Sequence, residues 1–392
     1  MDHIDIRKEA LAVYDDVTAL RRYFHMYPEP AMQEYNTSEK IKSQLEKLHI
    51  PYQTIGETGI TASIGEGHMK TVALRADMDA LKIQEKNDIS YKSKNDGYMH
   101  ACGHDGHTAS LLGAAAILKK YEKCLNVNIR LIFQPAEENC LGAKMMTENH
   151  GLDGVDEIYG IHIFTDIPAG KVSIEAGPRM ASTDIFKVTI KGKAGHAAKP
   201  QQCVDATVAA AASVMNLQTI VSRELDPVNS AVVTVGKLHS GTQYNIISGE
   251  AVLEGTVRSF DLETSKHIQE SIERIVSMTA SAYGAKADFL FKPSRHPVVY
   301  NDRMLTERMY EAAEKLFGKD AMIHVPPMML GEDFSIYQSK IPGVFAFVGA
   351  GNPQKGCIYP NHHDCFNMDE QALLDCVILY TMFGLNGGKD ND

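Results

Sequence analysis

Residues 99–108 read Met-His-Ala-Cys-Gly-His-Asp-Gly-His-Thr, which sets one thiol and three imidazoles within a few positions of two glycines. Thiolate and imidazole are good transition-metal donors, and glycine lets backbone and ligand approach closely. A second cluster follows at Gln134-Pro135-Ala136-Glu137-Glu138. Two adjacent carboxylates can supply one metal ligand and one general base. A structural zinc site closes its four-ligand sphere to solvent. A thiol, imidazoles and a carboxylate pair together point instead to a hydrolytic metal centre.

Side chains so far apart in sequence need a scaffold that gathers them. Apolar, β-rich runs occur at 59–64, 71–76, 127–133, 157–163 and 343–349, and helical patterns fall between them, including 4–23, 37–48, 107–122, 304–317 and 369–383. Strands alternating with helices predict an α/β domain around a mainly parallel sheet. Ligands of such sheets gather at the carboxyl ends of strands. Five candidate ligands fit that rule: Cys102 and His104 in a loop entering a helix, Glu138 after one strand, His162 near the end of another, and either His362 or His363 after the last. Two cations about 3.5–4 Å apart need a bridging group, and the soft Cys102 sulfur is a candidate bridge. A buried histidine, a pair of glutamates or a lone cysteine each has an ordinary structural reading. The joint placement on separate strands is what carries the metal reading. His107 is expected to cap or pack its helix, and His100 and Asp105 to support the ligands.

Near Ser182 the pattern changes. A strand at 185–191 alternates apolar and polar residues, a helix runs over 204–223, strands cover 231–238 and 251–258, a helix spans 262–282, and a strand ends the segment at 285–291. The order β-α-β-β-α-β is the ferredoxin-like arrangement. The economical organisation is a catalytic domain over 1–181 and 293–392, interrupted by an inserted ferredoxin-like α+β lid and dimerisation domain over 182–292.

Composition narrows the partners. The chain has 392 residues, a formal charge of −11 and an ordinary 44% hydrophobic content. With no dense basic patch, neither nucleic acid nor an anionic membrane is an expected partner. Seven scattered cysteines without a Cys-x-x-Cys pair suit a reducing compartment. The charged start, MDHIDIRKEA, lacks an apolar signal core. A cytoplasmic protein is the expectation.

The chain resembles the aminoacylase/glutamate-carboxypeptidase superfamily of binuclear metallohydrolases. Within it, the N-acyl-amino-acid amidohydrolase branch is nearest, which includes hippurate hydrolases, indole-acetyl-amino-acid hydrolases and N-acetyl-diaminopimelate deacetylases. The motifs that carry this span the chain: Arg22-Tyr23-Phe24-His25-Met26-Tyr27-Pro28-Glu29-Pro30, Arg75-Ala76-Asp77-Met78-Asp79-Ala80-Leu81, the two clusters above, Gly192-Lys193-Ala194-Gly195-His196-Ala197-Ala198-Lys199-Pro200 and Gly331-Glu332-Asp333-Phe334. The resemblance implies metal ligation by Cys102, His104, Glu138 and His162. It puts the last ligand four residues before Phe366, hence at His362, with His363 as the fallback. It further implies Glu137 as general base, Asp79 as the carboxylate that orients a ligand, and His196, Asn245 and Arg258 as substrate-binding residues of the lid. His196 would reach a partner subunit's site. The implied cofactors are two divalent ions per subunit, zinc or manganese, with cobalt or nickel able to substitute in vitro. The implied activity is hydrolysis of the amide bond of N-acyl amino acids by a homodimer or higher homo-oligomer. A dipeptidase, aminopeptidase or carboxypeptidase on the same scaffold is the alternative, and a non-catalytic metal-binding protein a second. Three departures stand out: Lys82 and Asp364 replace usual prolines, and Asn139-Cys140-Leu141 replaces a more glycine-rich segment. The Asp364 carboxylate is expected beside the metal.

Overall fold

The structure is a computed structural model that describes residues 4–292 and 296–389. The chain forms two compact units. One holds Met1–Arg179, Val299–Pro326 and Glu332–Asp392, and the other Met180–Val298 with Pro327–Gly331. The sequence reading put all of 293–392 with the first unit. The boundary residue 293 lies outside the described residues; residues 296–298 and 327–331 of that stretch cluster with the second unit, as do Met180 and Ala181.

The first unit is built on a seven-stranded sheet. Its strand order is Tyr52–Ile55, Gly59–Ile64, Asn128–Gln134, Thr71–Asp77, Glu157–Pro168, Gly343–Gly351 and Val172–Ser173. The four strands from Asn128–Gln134 to Gly343–Gly351 run parallel, and the outer pairs are antiparallel. A parallel sheet covered on both faces reads as continuous apolar runs, and Val72, Ala73, Leu74 and Ala76 are all buried. Helices Ile6–Met26, His104–Lys120 and Gln371–Asn386 pack together beside it. Gly113 allows the first two to approach: a Cβ there would lie 2.4 Å from Val17 Cγ2.

One difference from expectation matters chemically. The third helix begins at His104 rather than near His107, because Gly103 precedes it with φ +99°. That backbone is accessible to glycine at little cost. His104, Asp105 and His107 therefore share a helical first turn, and only Cys102 remains in the loop.

The second unit has its own core. Its antiparallel sheet runs Ala231–Ser240, Glu250–Ser259, Ser182–Lys191 and Lys286–Lys292, with helices Ala206–Leu217 and Leu262–Ala282 packed on it. This is the strand order of the split β-α-β arrangement. Phe186, Val188 and Ile190 are buried while Lys187 and Lys191 between and beyond them face water, the period-2 signature of a sheet covered on one face. Asp205 and Asp261 cap the two helices by accepting backbone N–H bonds. The first helix stops at Leu217 instead of reaching Arg223. Beyond it Thr219 and Ser222 hydroxyls bond back to Asn216 and Gln218 carbonyls, and the chain continues as a π turn, Ile220–Glu224. Among the described residues no helix is long and apolar enough to cross a membrane.

Candidate metal centre

The ends of the parallel strands bring the predicted ligands together. Cys102, His104 and His162 offer ligand atoms within 4.8 Å of one another, as do Cys102, Glu138 and His362, and His104, Glu137 and Glu138. Cys102 and Glu138 each belong to two of these groups, so the set is continuous. Cys102 Sγ lies 3.4 Å from His162 Nε2. His104 Nε2 is 3.9 Å and His362 Nε2 3.4 Å from Glu138 Oε1.

Hydrogen bonds to the far nitrogens aim the rings. His104 Nδ1 donates to the Asp79 carbonyl at 3.0 Å, and His162 Nδ1 to the Ile163 carbonyl at 2.9 Å. Each leaves Nε2 with a lone pair toward the cluster, the arrangement that orients metal-binding histidines. His104 Nε2 and Glu138 Oε1 are buried and lack a hydrogen-bond partner among the described residues. Burying such atoms unpaired is costly, and their convergence at 3.9 Å suits a shared cation. The residues present therefore fit a divalent metal pair by donor chemistry.

His107 is a decoy. It forms a compact group with Asp77 and His104, but both nitrogens are committed. Nδ1 donates to Asp77 Oδ1 at 2.6 Å, and Nε2 accepts the Ile163 N–H at 3.0 Å. The ring is a neutral strut between a strand end and a helix. Asp105 is likewise occupied, by Arg21 at 2.9 Å and His25 at 2.8 Å. Burial opposes its charge, but those two cations hold its carboxyl below the ordinary range. Burial first, with the nearby His25 and His104 imidazoles, pushes the His100 imidazole down to about 4, so it stays neutral.

Asp79 organises the glutamate turn. Its two oxygens accept the N–H groups of Glu137 and Glu138 at 3.0 and 3.1 Å, while its carbonyl holds His104. The turn also needs Ala136 at φ +55°, and Glu34 Oε1 accepts that residue's N–H at 2.9 Å. Glu137 is buried. Burial first, then the carboxylates of Glu332, Glu138 and Asp333, hold its carboxyl well above the usual range. Such a group readily keeps a proton it has taken.

His362, not His363, faces this cluster. The adjacent Cys102 and Glu138 side chains push its imidazole up to about 10, a measure of how strongly these groups draw positive charge. His363 turns away, stacked on Tyr359 at 4.5 Å and accepting the Cys365 N–H. The expectation for Asp364 is corrected: its carboxylate pairs with Lys86 at 2.5 Å.

In the second unit, His196 lies in a small two-stranded sheet and Asn245 directly before its other strand. Gly195–His196 pairs with Ile246–Ile247, and the Asn245 carbonyl accepts the Ala197 N–H. Both side chains are exposed. The structure does not place Arg258 beside them. Arg258 lies near the far end of strand Glu250–Ser259, about 26 Å from its Glu250 end at ~3.3 Å per residue.

Sequence reasoning missed Asp77, Glu34 and Asn361. Asp77 stood two residues before Asp79 in a quoted motif, and strand periodicity puts both carboxylates on one side of the strand end. Asn361 and Glu34 carried no signal, because their roles are bonds to distant backbone.

With this geometry in view, comparison with known proteins is decisive. The profile of peptidase family M20/M25/M40 matches residues 73–385. The chain belongs to that family. The M20 chain is 42% identical over 357 residues to a Bacillus subtilis protein named N-acetyl-L-cysteine deacetylase, covering 91% of this chain and 84% of that protein. It is 38% identical over 379 residues to thermostable carboxypeptidase 1 of Saccharolobus solfataricus, covering 95% and 96%. A crystal structure of a Bacillus subtilis protein described as a dinuclear metal binding peptidase of the M20 family superposes with a TM-score of 0.85 at 36% identity, covering 96% of this M20 chain and 98% of that one.

Proposed function

We propose that this M20 hydrolase cleaves the amide bond of N-acyl amino acids, with two divalent ions, zinc or manganese, held by Cys102, His104, Glu138, His162 and His362. The observation that carries the reading is Glu137: a buried carboxyl with a raised pKa, adjacent in sequence to a proposed ligand and with an oxygen within 4.8 Å of both His104 and Glu138. The ion pair supplies Lewis-acid polarisation of the amide carbonyl and lowers the pKa of the attacking water. Glu137 takes a proton from that water as the new C–O bond forms, then returns it to the departing nitrogen as the C–N bond breaks. The products are a carboxylate and a free amino acid. Arg258 grips the substrate carboxylate, because a guanidinium matches it bidentately. His196 and Asn245 complete the oxyanion and substrate contacts. Their separation from Arg258 supports a homodimer in which one lid serves two sites, with His196 reaching the partner subunit's. The cytoplasm is the compartment that fits the free cysteines.

The test is a panel of N-acetyl amino acids against dipeptides, run with the metal-stripped enzyme and after zinc or manganese is restored. Metal-dependent release of acetate from the first group, at far higher kcat/KM than for dipeptides, is expected. The reverse preference establishes the second reading, a peptidase, which the carboxypeptidase relative favours. No turnover of either class by the metal-loaded protein overturns both.

A further inference from the structure

Three ligand-bearing segments meet at one side chain that the metal reading does not use. The Asn361 Nδ2 group lies 3.0 Å from the Cys102 carbonyl oxygen and 3.0 Å from the Ile163 carbonyl oxygen, with the Cys102 sulfur at 4.0 Å. A primary amide has two N–H groups, and here each has a carbonyl. The Ile163 carbonyl is the same one that accepts His162 Nδ1–H, so a single oxygen orients the His162 ring and anchors Asn361. The next residue continues the clamp: the His362 N–H donates to the Ala101 carbonyl at 2.7 Å. Residues 361 and 362 thus grip the consecutive carbonyls of 102 and 101. That grip holds His362 at φ +69°, a left-handed backbone that side-chain-bearing residues rarely adopt. The amide cannot be reversed without setting Oδ1 against two carbonyl oxygens, so its neighbours assign the orientation.

We propose that Asn361 is a positioning residue of the metal centre, whose amide locks the Cys102 loop, the His162 strand end and the His362 turn into one ligand set. The proposal rests on the reading of this cluster as a metal site. Asn361 acts on the ligands through their backbone, and its loss loosens three of the five together. Groups that orient ligands in this way change metal affinity by about 10–100-fold when removed.

Asn361→Asp, which keeps the shape and loses both donors, and Asn361→Ala separate this role from general stability. Each variant and the wild type are stripped, reloaded with cobalt(II), and titrated against a competing chelator while thiolate-to-cobalt charge-transfer absorption is recorded. Both variants are expected to bind cobalt at least about tenfold more weakly and to shift the charge-transfer band, with the circular dichroism of the folded protein retained. Wild-type affinity together with a wild-type band in either folded variant overturns the proposal. If one variant does not fold, the other decides. A wild type that binds no cobalt, or binds it without a thiolate band, overturns the underlying assignment of Cys102 as a ligand and is read before the variants.

Discussion

The two units treat their functional residues in opposite ways. In the first, most of the polar groups near the candidate centre are buried, and many are bonded to one another or to backbone. Arg75 alone contacts Gln134, Asp77, Glu332 and Asp333 at 2.7–3.0 Å, and Asp79 holds two backbone N–H groups and a histidine. In the second, His196 and Asn245 are exposed at a short two-stranded sheet, and Arg258 bonds Thr256 and the Val257 carbonyl of its own strand. Metal chemistry demands donors fixed within a fraction of an ångström, so those groups are ordered by folding itself. Groups that grip a substrate must admit and release it, and the exposure of His196 and Asn245 suits the substrate-binding role proposed for them. The contrast yields predictions that separate chemistry, scaffold and substrate grip.

The largest effect belongs to Glu137. Glu137→Gln keeps shape and removes the base, so kcat should fall by about 10²–10⁴-fold while metal content by elemental analysis stays at the wild-type value. Substantial activity in that variant removes Glu137 as the base.

Next comes the scaffold. Arg75→Met would leave the Asp77, Glu332 and Asp333 carboxylates together in the core without their cation. Breaking a buried ion pair costs about 3–5 kcal/mol, read as a lower urea midpoint of the metal-free protein. A loss below ~1 kcal/mol, the range of a surface pair, would mean the buried network is not what stiffens the first unit.

Much of this was legible in sequence, for physical reasons. Apolar runs of the parallel strands and the alternation of Ser182–Lys191 reflect burial on two faces and on one, which is a local pattern. Cys102, His104 and the Glu137-Glu138 pair stood out because their residue types are rarely clustered without chemistry. The start of the third helix was misread, since a glycine at φ +99° lets a helix begin earlier than its apolar pattern does. The choice between His362 and His363 depends on one residue's left-handed backbone, and no periodicity reports that. Asp364 reads in sequence as a carboxylate beside the metal because Lys86, its partner, is far away in sequence. That Arg258 sits at the end of its strand away from Glu250, while His196 pairs with Ile246 just before that strand, is a matter of strand register, which three separate motif matches cannot reveal.

Glu34 gives a smaller effect, and one that depends on pH. Burial, then the nearby Asp79 carboxylate, push its carboxyl from the ordinary 4.5 up to about 7. The raised folded-state value means its contribution to stability is present below pH 4.5 and lost as pH rises through about 7. Glu34→Gln abolishes that loss while keeping an oxygen for the Met32 and Ala136 N–H groups. Relative to wild type, the metal-free variant should gain up to about 3 kcal/mol between pH 4.5 and pH 8, at ~1.4 kcal/mol per pKa unit. Urea unfolding across that range measures it, and a difference that does not change with pH contradicts the buried-carboxylate account of the Ala136 turn.

The gentlest test addresses the second unit. If Arg258 and His196 serve different sites of a homodimer, the two should fail differently. Arg258→Ala should raise KM about 10–100-fold, the worth of a charge-assisted bond to a carboxylate, whereas His196→Ala should act mainly on kcat, as loss of oxyanion stabilisation does. Glu137→Gln and His196→Ala subunits, each nearly inactive alone, should then complement. In a mixed dimer the subunit that keeps Glu137 receives His196 from its partner, so one of its two sites is whole. Random reassortment of equal amounts makes half the dimers mixed, and about a quarter of wild-type activity should return. No recovery after verified subunit exchange would place His196 in the site of its own subunit. The distance between the His196 strand and Arg258 would then have to be closed by movement within one chain rather than by a partner.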